Sequence, residues 1–381
     1  MNDSKKICFI CGGKYKAGGV SVAIMNLLRN NPSYQVDIIA PVEETFDMFI
    51  SELKLDKRVN LICLNQTFDK GNRRQFSNEL LEYLKKHKYF CGVVHSGLIS
   101  FQLTCLSALK KSGITNRVAY SHSKGISKKN AGKFIQNILR FQVCRLATHY
   151  MAVTEDAAKW LFGDKKLKKV IIIPNGINSS RFIFNRQDRD DFRANLRVKP
   201  YLFLMGCFGR ISFEKNQQFL LPILKKINHE KMGILFIGDG SKANLEKYVV
   251  DNQLSNVYFM DSLKDIEKAF SAVDLLLVPS KFEGLGMVAI EAQCNGLQVV
   301  CSDGVPTIVD FNRCEFIPLE ERKWVNGINS KFSRFDSNDR KLFSNKIINA
   351  VSASQFSETA SSLMFWNEIE KIVEEAEISE S

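Results

Sequence analysis

Pro279-Ser280-Lys281-Phe282-Glu283-Gly284-Leu285-Gly286-Met287-Val288-Ala289-Ile290-Glu291-Ala292 decides how the rest of the chain is read. Before it, Asp274-Leu275-Leu276-Leu277-Val278 reads as a short buried strand. After it, Met287 to Cys294 reads as a helix that stops near Asn295-Gly296. The turn between them carries two glycines, where backbone can approach a ligand closely. Such a turn, feeding a helix N-terminus, is an anion site, because free N–H groups and the helix dipole both point there. Glu291 falls one turn into an otherwise apolar helix. A carboxylate among Val288, Ala289, Ile290 and Ala292 needs a partner if that face is buried, and a ribose hydroxyl pair would serve. Glu283 lies in the turn itself and can reach a second polar group of the same ligand. A strand, a glycine turn and a helix also occur in any α/β protein, so the stretch alone leaves Glu291 open as a solvated residue.

Glu-x7-Glu with Glu-Gly-x-Gly inside it resembles the donor-site signature of the family 4 retaining glycosyltransferases, of the type found in bacterial capsule and exopolysaccharide synthesis. The resemblance implies the GT-B fold: α/β, with two Rossmann-like domains whose parallel sheets face a central cleft. It also implies a nucleotide-sugar donor, UDP- or GDP-linked, with no separate cofactor and no metal.

The next stretches outward agree with that reading. Tyr201–Phe208 reads as the strand that opens the second half, and Gly209-Arg210-Ile211-Ser212-Phe213-Glu214-Lys215-Asn216 follows it, leading to a helix over Gln217–Ile227. Arginine forks onto phosphate oxygens and lysine supplies a mobile point charge, which is what a departing diphosphate needs. Gly-Arg, then Glu-Lys-Asn, is similar to the family's own turn. Gly238-Asp239-Gly240, after the strand Gly233–Gly238, matches the next one. The backbone near Asp261-Ser262-Leu263 is where relatives hold the base.

The first half reads as strands at Lys5–Cys11, Gln35–Ala40, Asn60–Leu64, Gly92–His95 and Arg117–Ser121, with helices at Val20–Arg29, Thr45–Leu53, Arg74–Lys88 and Leu103–Lys111 between them. That alternation argues for a mostly parallel sheet covered on both faces. Gly12-Gly13-Lys14-Tyr15-Lys16-Ala17-Gly18-Gly19 is a glycine-rich loop but not a dinucleotide fingerprint. Family members carry a similar glycine pair, which implies that Gly18 and Gly19 approach the diphosphate. His95 and His122 fall at strand ends, where open α/β sheets bind ligands. A lone histidine is more often structural than catalytic. In Tyr120-Ser121-His122-Ser123, relatives often read His-Ser-His, so only His122 inherits a role, and His95 remains an acceptor-side candidate. Pro174-Asn175-Gly176-Ile177 resembles the start of the family's interdomain linker. Thr154 is placed to cap a helix beginning Glu155-Asp156. Asp188-Arg189-Asp190 matches the metal motif of another glycosyltransferase class, but it lies in a charged linker and is discounted.

With 381 residues, 45% hydrophobic and 25% charged, the chain has room for two ordinary globular cores. The first domain is expected at 1–178 with a returning C-terminal helix at about 357–381, and the second at 179–356. On that helix Leu363, Trp366, Ile369 and Ile372 form the expected stripe. No apolar run reaches membrane-span length, and no signal-peptide core is visible, so a cytoplasmic protein is expected. The ten cysteines are scattered, with no zinc spacing, and read as reduced and mostly buried. Residues 1–180 hold 28 lysines and arginines against 13 acidic residues, a net +15, while the remainder nets −3. Lys124 to Arg145 reads as a basic amphipathic helix with Phe134, Ile138 and Phe141 among its cations. The usual explanation is a core-packed helix with a solvated face. The other is peripheral contact with an anionic membrane on its inner face.

Together the motifs imply transfer of a sugar, with retention, to a hydroxyl of a saccharide or lipid-linked saccharide. Arg210 and Lys215 would neutralise the diphosphate, aided by Gly18, Gly19, Gly209 and the backbone of Gly284, Leu285 and Gly286. Glu291 would hold the ribose, and Glu283 and His122 would position the sugar. The donor phosphate takes the acceptor proton in the family scheme, so no protein nucleophile is required. Two alternatives share the fold: a nucleotide-sugar 2-epimerase, and an inactive partner subunit. A nucleic-acid binder is suggested only by the basic charge and has no recognition motif.

Overall fold

A computed structural model of the chain describes residues 6–12, 19–41, 46, 49–69, 71–124, 131–227, 230–336 and 339–380. The chain forms two compact units: residues 1–176 with 358–381, and residues 177–357.

The first unit is built on seven strands: β1 (Lys6–Cys11), β2 (Gln35–Ala40), β3 (Val59–Cys63), β4 (Cys91–His95), β5 (Asn116–Ser121), β6 (His149–Ala152) and β7 (Val170–Ile172). Their spatial order is β3-β2-β1-β4-β5-β6-β7, and every pairing is parallel. Cys91-Gly92-Val93-Val94-His95 is buried throughout, as expected of a strand with helices on both faces. The order reverses between β1 and β4, so ligands are favoured beyond the carboxyl ends of these strands.

The second unit repeats the plan with six strands: β8 (Phe203–Phe208), β9 (Met232–Ile237), β10 (Val257–Met260), β11 (Leu275–Val278), β12 (Gln298–Ser302) and β13 (Cys314–Ile317). Their order is β10-β9-β8-β11-β12-β13, again parallel. Here the order reverses between β8 and β11, the strands that precede the two motif-bearing turns.

The helix Glu358–Glu380 packs onto the first unit: Trp366 Nε1 donates to the Leu27 carbonyl at 2.9 Å, and Ser361 Oγ to the Pro174 carbonyl at 2.5 Å. Its buried stripe is Phe365, Trp366, Ile369 and Ile372, whereas Leu363 is 54% exposed. Ser362 takes the inward position and bonds the Leu27 carbonyl, which turns Leu363 about 100° away from the core.

Two expected helices are shorter than the periodicity suggests. In Thr45–Leu53 the helix covers only Ile50–Leu53, and residues 42–45 and 47–48 lie outside the described residues. Gln217–Ile227 begins as a 3₁₀ turn, Gln217–Phe219, and is α-helical only over Leu220–Leu224. Pro222 has no N–H to donate back into the preceding turn, so the regular helix starts where proline is tolerated.

The basic helix runs over Ala131–Leu146. Gln136 and Val143 face the core, while Phe134, Ile135, Ile138 and Phe141 are 69%, 57%, 43% and 63% exposed. Phe134, Ile135, Ile138 and Phe141 therefore do not pack into the core, whereas Leu139 does so in part. Among the described residues no helix is long and apolar enough to cross a membrane.

Candidate functional site

At the carboxyl ends of β8 and β11, two turns are stitched together. Lys281 N donates to the Glu214 carbonyl at 2.7 Å, and Asn216 Nδ2 to the Pro279 carbonyl at 3.0 Å. Asn216 holds a left-handed conformation, φ 57°, that turns its side chain back on the neighbouring loop. Gln217, almost fully buried, pins the first turn from beneath. Its Nε2 donates to the carbonyls of Gly209 (3.2 Å) and Arg210 (2.9 Å). Gly238 is required by close approach: a Cβ there would lie 2.2 Å from the Gly209 oxygen.

Lys215 Nζ reaches across to Glu283 Oε1 at 2.6 Å, and Ser280 Oγ donates to the same oxygen at 2.6 Å. Glu283 N donates to the Gly304 carbonyl at 3.1 Å, which fixes the turn on its far side. Arg210 is exposed on the same loop. Burial would raise the Glu214 carboxyl, but the Ser212 hydroxyl, the Glu214 N–H, Arg210 and Lys215 hold it below its ordinary value. The cations thus face a common region.

Gly286, at φ 90°, caps the helix Met287–Cys294 in a conformation that disfavours other residues. The Leu285 side chain is buried and anchors the turn, so its contribution to a ligand can come only through backbone. The first N–H groups of the helix lie beside this turn, and Ala289 N donates to the Gly286 carbonyl at 2.9 Å. Glu291 lies on the next turn, partly buried. Burial pushes its carboxyl up to about 7, against the opposing pull of Arg181 and Lys215. Gly209, Arg210, Lys215, Glu283, Gly284, Leu285, Gly286 and Glu291 are therefore gathered within the second unit.

Gly19 opens the helix Gly19–Arg29 in the first unit, and its Cβ position is unobstructed. Gly18 lies outside the described residues. His122 follows β5 and is 8% exposed. It shares a hydrogen bond with His95, which ends β4: His95 Nδ1 and His122 Nε2 are 3.0 Å apart. Asp188 and Asp190 lie on the helix Arg186–Asn195, where Asp190 pairs with Arg186 at 3.1 Å.

Ser280, Gln217 and Arg181 were not singled out from sequence. Ser280 precedes Glu283 by three residues, a spacing that can hint at a side-chain contact in a turn. Gln217 and Arg181 act across tertiary contacts that no local pattern marks.

Two parallel six- or seven-stranded sheets, each with its order reversed beside a glycine turn, are the halves of a GT-B glycosyltransferase. The model for "Glycosyltransferase Family 4" matches residues 17–181, and that for "Glycosyl transferases group 1" matches residues 203–329. The chain belongs to the family 4 glycosyltransferases. It is 26% identical over 324 residues to EpsF of Bacillus subtilis, assigned as a glycosyltransferase, covering 81% of this chain and 82% of that one. It is 23% identical over 310 residues to the Escherichia coli UDP-Gal:alpha-D-GlcNAc-diphosphoundecaprenol alpha-1,3-galactosyltransferase, covering 77% and 76%. Among solved structures, Anabaena Alr3699/HepE in complex with UDP and glucose superposes with a TM-score of 0.80 at 17% identity, over 96% of this chain and all of that one.

Proposed function

We propose that the chain moves a sugar from a nucleoside diphosphate sugar to a hydroxyl of a lipid-linked saccharide, with net retention and without a metal ion or other cofactor, in cell-surface polysaccharide synthesis. The observation that carries this reading is the Lys215–Glu283 pair on the turn that leads into the N-terminus of Met287–Cys294. Lys215 and Arg210 supply charge to the leaving diphosphate, and the helix N-terminus adds backbone donors. Glu283, held by Ser280 and Lys215, is fixed in direction and accepts from a sugar hydroxyl. Glu291 accepts from the ribose. Gly18, Gly19 and His122 are the donor and sugar contacts that the family resemblance assigns to the first unit. Uridine diphosphate as the carrier is supported by the Anabaena relative, and a diphosphate-linked lipid acceptor by the E. coli one. The enzyme would act in the cytoplasm, peripherally on the inner membrane face, where such an acceptor is presented.

The reading is tested with a panel of nucleotide sugars and a polyprenyl diphosphate-linked saccharide, the product anomer being assigned by NMR. One donor is expected to give an acceptor-linked product of unchanged anomeric configuration, in the presence of a chelator as in its absence. No transfer from any donor, or epimerised nucleotide sugar without acceptor, overturns it. Inversion or loss of activity in chelator overturns the mechanism alone.

Glu291→Gln gives a separate expectation. A carboxyl raised from 4.5 to about 7 on folding binds more protons in the folded chain across that window. Its contribution to stability is therefore fully present below pH 4.5, lost as pH rises through 7, and flat above. The variant is expected to be more stable than the parent at pH 8, equal to it near pH 4.5, and to bind the nucleotide sugar about tenfold more weakly. Scanning calorimetry at both pH values and titration calorimetry check this. Unchanged donor affinity removes Glu291 from the site.

A further inference from the structure

Arg181 lies on the 3₁₀ turn Ser179–Phe182, which packs against two helices of the second unit, Ile266–Ala272 and Met287–Cys294. Asn295 marks one level of that packing: its Nδ2 donates to the Phe182 carbonyl at 3.0 Å and to Ser271 Oγ at 3.1 Å. Asn295 and Ser271 each follow a carboxylate by four residues, Glu291 and Glu267, a spacing that shares a helix face. The next level therefore sets Glu291 and Glu267 about Arg181. Arg181 Nε and Nη2 both meet Glu267 Oε2, at 3.1 and 2.9 Å, and Nη2 also donates to the Lys264 carbonyl at 2.6 Å. Its charge opposes the upward push of burial on the Glu291 carboxyl.

Lys264 closes an exposed loop, residues 261–264, that leaves the carboxyl end of β10, the same end of the sheet as the motif turns. Asp239 holds the loop from its other side. Its Oδ1 accepts from Ser262 N at 3.2 Å and from Ser262 Oγ at 2.7 Å. The peptide groups between these two ties are thus fixed on a surface where backbone is otherwise loose. A nucleoside whose ribose meets Glu291 carries its base one bond further on, and Arg181 joins the surroundings of Glu291 to this loop. Lys215 is the second cation that acts on Glu291. The Cys294 thiol, on the same helix, is pushed up to about 12 by burial and by Glu291 and stays neutral. Strands β11 and β12 bring no charged side chain. On Arg340–Ser352, Arg340 turns to the Phe270 and Val273 carbonyls, and Lys341 and Lys346 are exposed. Asp310, after Thr307–Val309, accepts from the N–H groups of Arg313 and Cys314.

We propose that Arg181 is a positioning residue for donor binding, which fixes residues 261–264 beside the nucleobase through the Lys264 carbonyl and Glu267 and faces Glu291 with a cation that keeps it an acceptor for the ribose hydroxyls. The ligand rests on the glycosyltransferase reading; the brace and the charge do not. A planar fork meets Glu267 and the Lys264 carbonyl together, whereas an ammonium carries the charge without that geometry. Substitution therefore separates the two parts of the role.

Glu291 is titrated by NMR on the free protein labelled with ¹³C-glutamate, its signal assigned with Glu291→Gln, and amide exchange is followed in residues 261–264. Arg181→Gln, which loses the cation, is expected to raise the Glu291 midpoint above the parent's. Arg181→Lys is expected to leave the midpoint near the parent's and to speed amide exchange in the loop about tenfold. It is also expected to raise KM for the nucleotide sugar about tenfold, with a far smaller change in kcat, because base and ribose lie away from the reacting bond. In Arg181→Gln the rise in KM is expected to be larger near neutral pH than at about pH 9. A carboxyl with a raised midpoint is less ionised at the lower pH and fully ionised at the higher. An unmoved Glu291 midpoint in Arg181→Gln overturns the proposal, as do parental loop exchange and KM in Arg181→Lys. A purely structural arginine would lower the unfolding temperature of both variants and move neither readout. If Arg181→Gln does not fold, Arg181→Lys still decides through loop exchange and KM. A parent without transfer activity, with midpoint and exchange as expected, overturns the glycosyltransferase reading alone.

Discussion

Lys215→Ala and Glu283→Ala are each expected to lower kcat by about 10²–10³-fold, and the double variant by no more than the worse of the two. The expectation follows from the 2.6 Å contact between the side chains. Lys215 meets the leaving diphosphate where negative charge grows, so its effect is larger in the transition state than on donor binding. Glu283 is only 10% exposed in its side chain. Without Lys215 its side chain loses its cationic partner and, among the described residues, keeps the Ser280 hydroxyl, so its oxygen is less firmly directed. Removing either residue thus disables the other, and the losses do not multiply. Arg210→Ala, on the exposed side of the same loop, is expected to lose less. Steady-state kinetics on the four proteins, with thermal unfolding to confirm that each is folded, checks this. Multiplicative losses would show that the two residues act independently, and parental kcat in either single variant would remove it from the reaction.

Phe134→Ser with Phe141→Ser is expected to weaken binding to anionic vesicles by at least 100-fold, and Arg145→Glu by about tenfold or more. The exposed face of Ala131–Leu146 presents Phe134, Ile138 and Phe141 along one side, with the Arg145 guanidinium 5.9 Å from the Phe141 ring. Arg140 is tied to the Trp160 carbonyl at 2.6 Å and is less available. The surrounding sequence has an unusual charge pattern: residues 83–154 contain 12 lysines and arginines and no aspartate or glutamate. Such a run is complementary to an anionic lipid surface. Each cation near that surface contributes about 1 kcal/mol, and the attraction decays over a Debye length of about 10 Å at 0.1 M salt. Apolar insertion would add a component that salt does not screen. Vesicle sedimentation at low and high salt is the measurement. Partial release by salt, with further loss in the serine variant, is the expected pattern. A protein that stays in the supernatant with anionic vesicles at low salt refutes docking, and a self-association that the serine variant abolishes would assign the face to a second copy.

The strand, turn and helix around Glu283 were legible because the pattern is local: apolar run, glycine pair, apolar helix, all within twenty residues. The two parallel sheets were legible for the same reason, since buried strands alternate with helical periods. What failed was information carried at a distance. Lys215 and Glu283 are 68 residues apart, and nothing short of the reversal in strand order between β8 and β11 makes them neighbours. His95 and His122 meet because β4 and β5 are adjacent, which sequence spacing does not state. The helix Ala131–Leu146 has apolar residues on two sides, Leu139 and Val143 on one and Phe134, Ile138 and Phe141 on the other. Periodicity alone cannot say which side is buried. Leu363 shows the converse: a fitting hydrophobe lost its place to a serine that satisfies a carbonyl.

The return of Glu358–Glu380 to the first unit sets an order of events during synthesis. Residues 1–176 leave the ribosome without the helix whose Phe365 and Trp366 rings lie against Phe9. The 181 residues of the second unit come next, and at 5–20 residues per second their translation occupies roughly 10–40 s. For that interval the first sheet has an uncovered aromatic seam, while the later-made unit, continuous in sequence, can already close its own core. The part of the protein made first is therefore the part finished last, and it is in this window that the nascent chain most needs a chaperone.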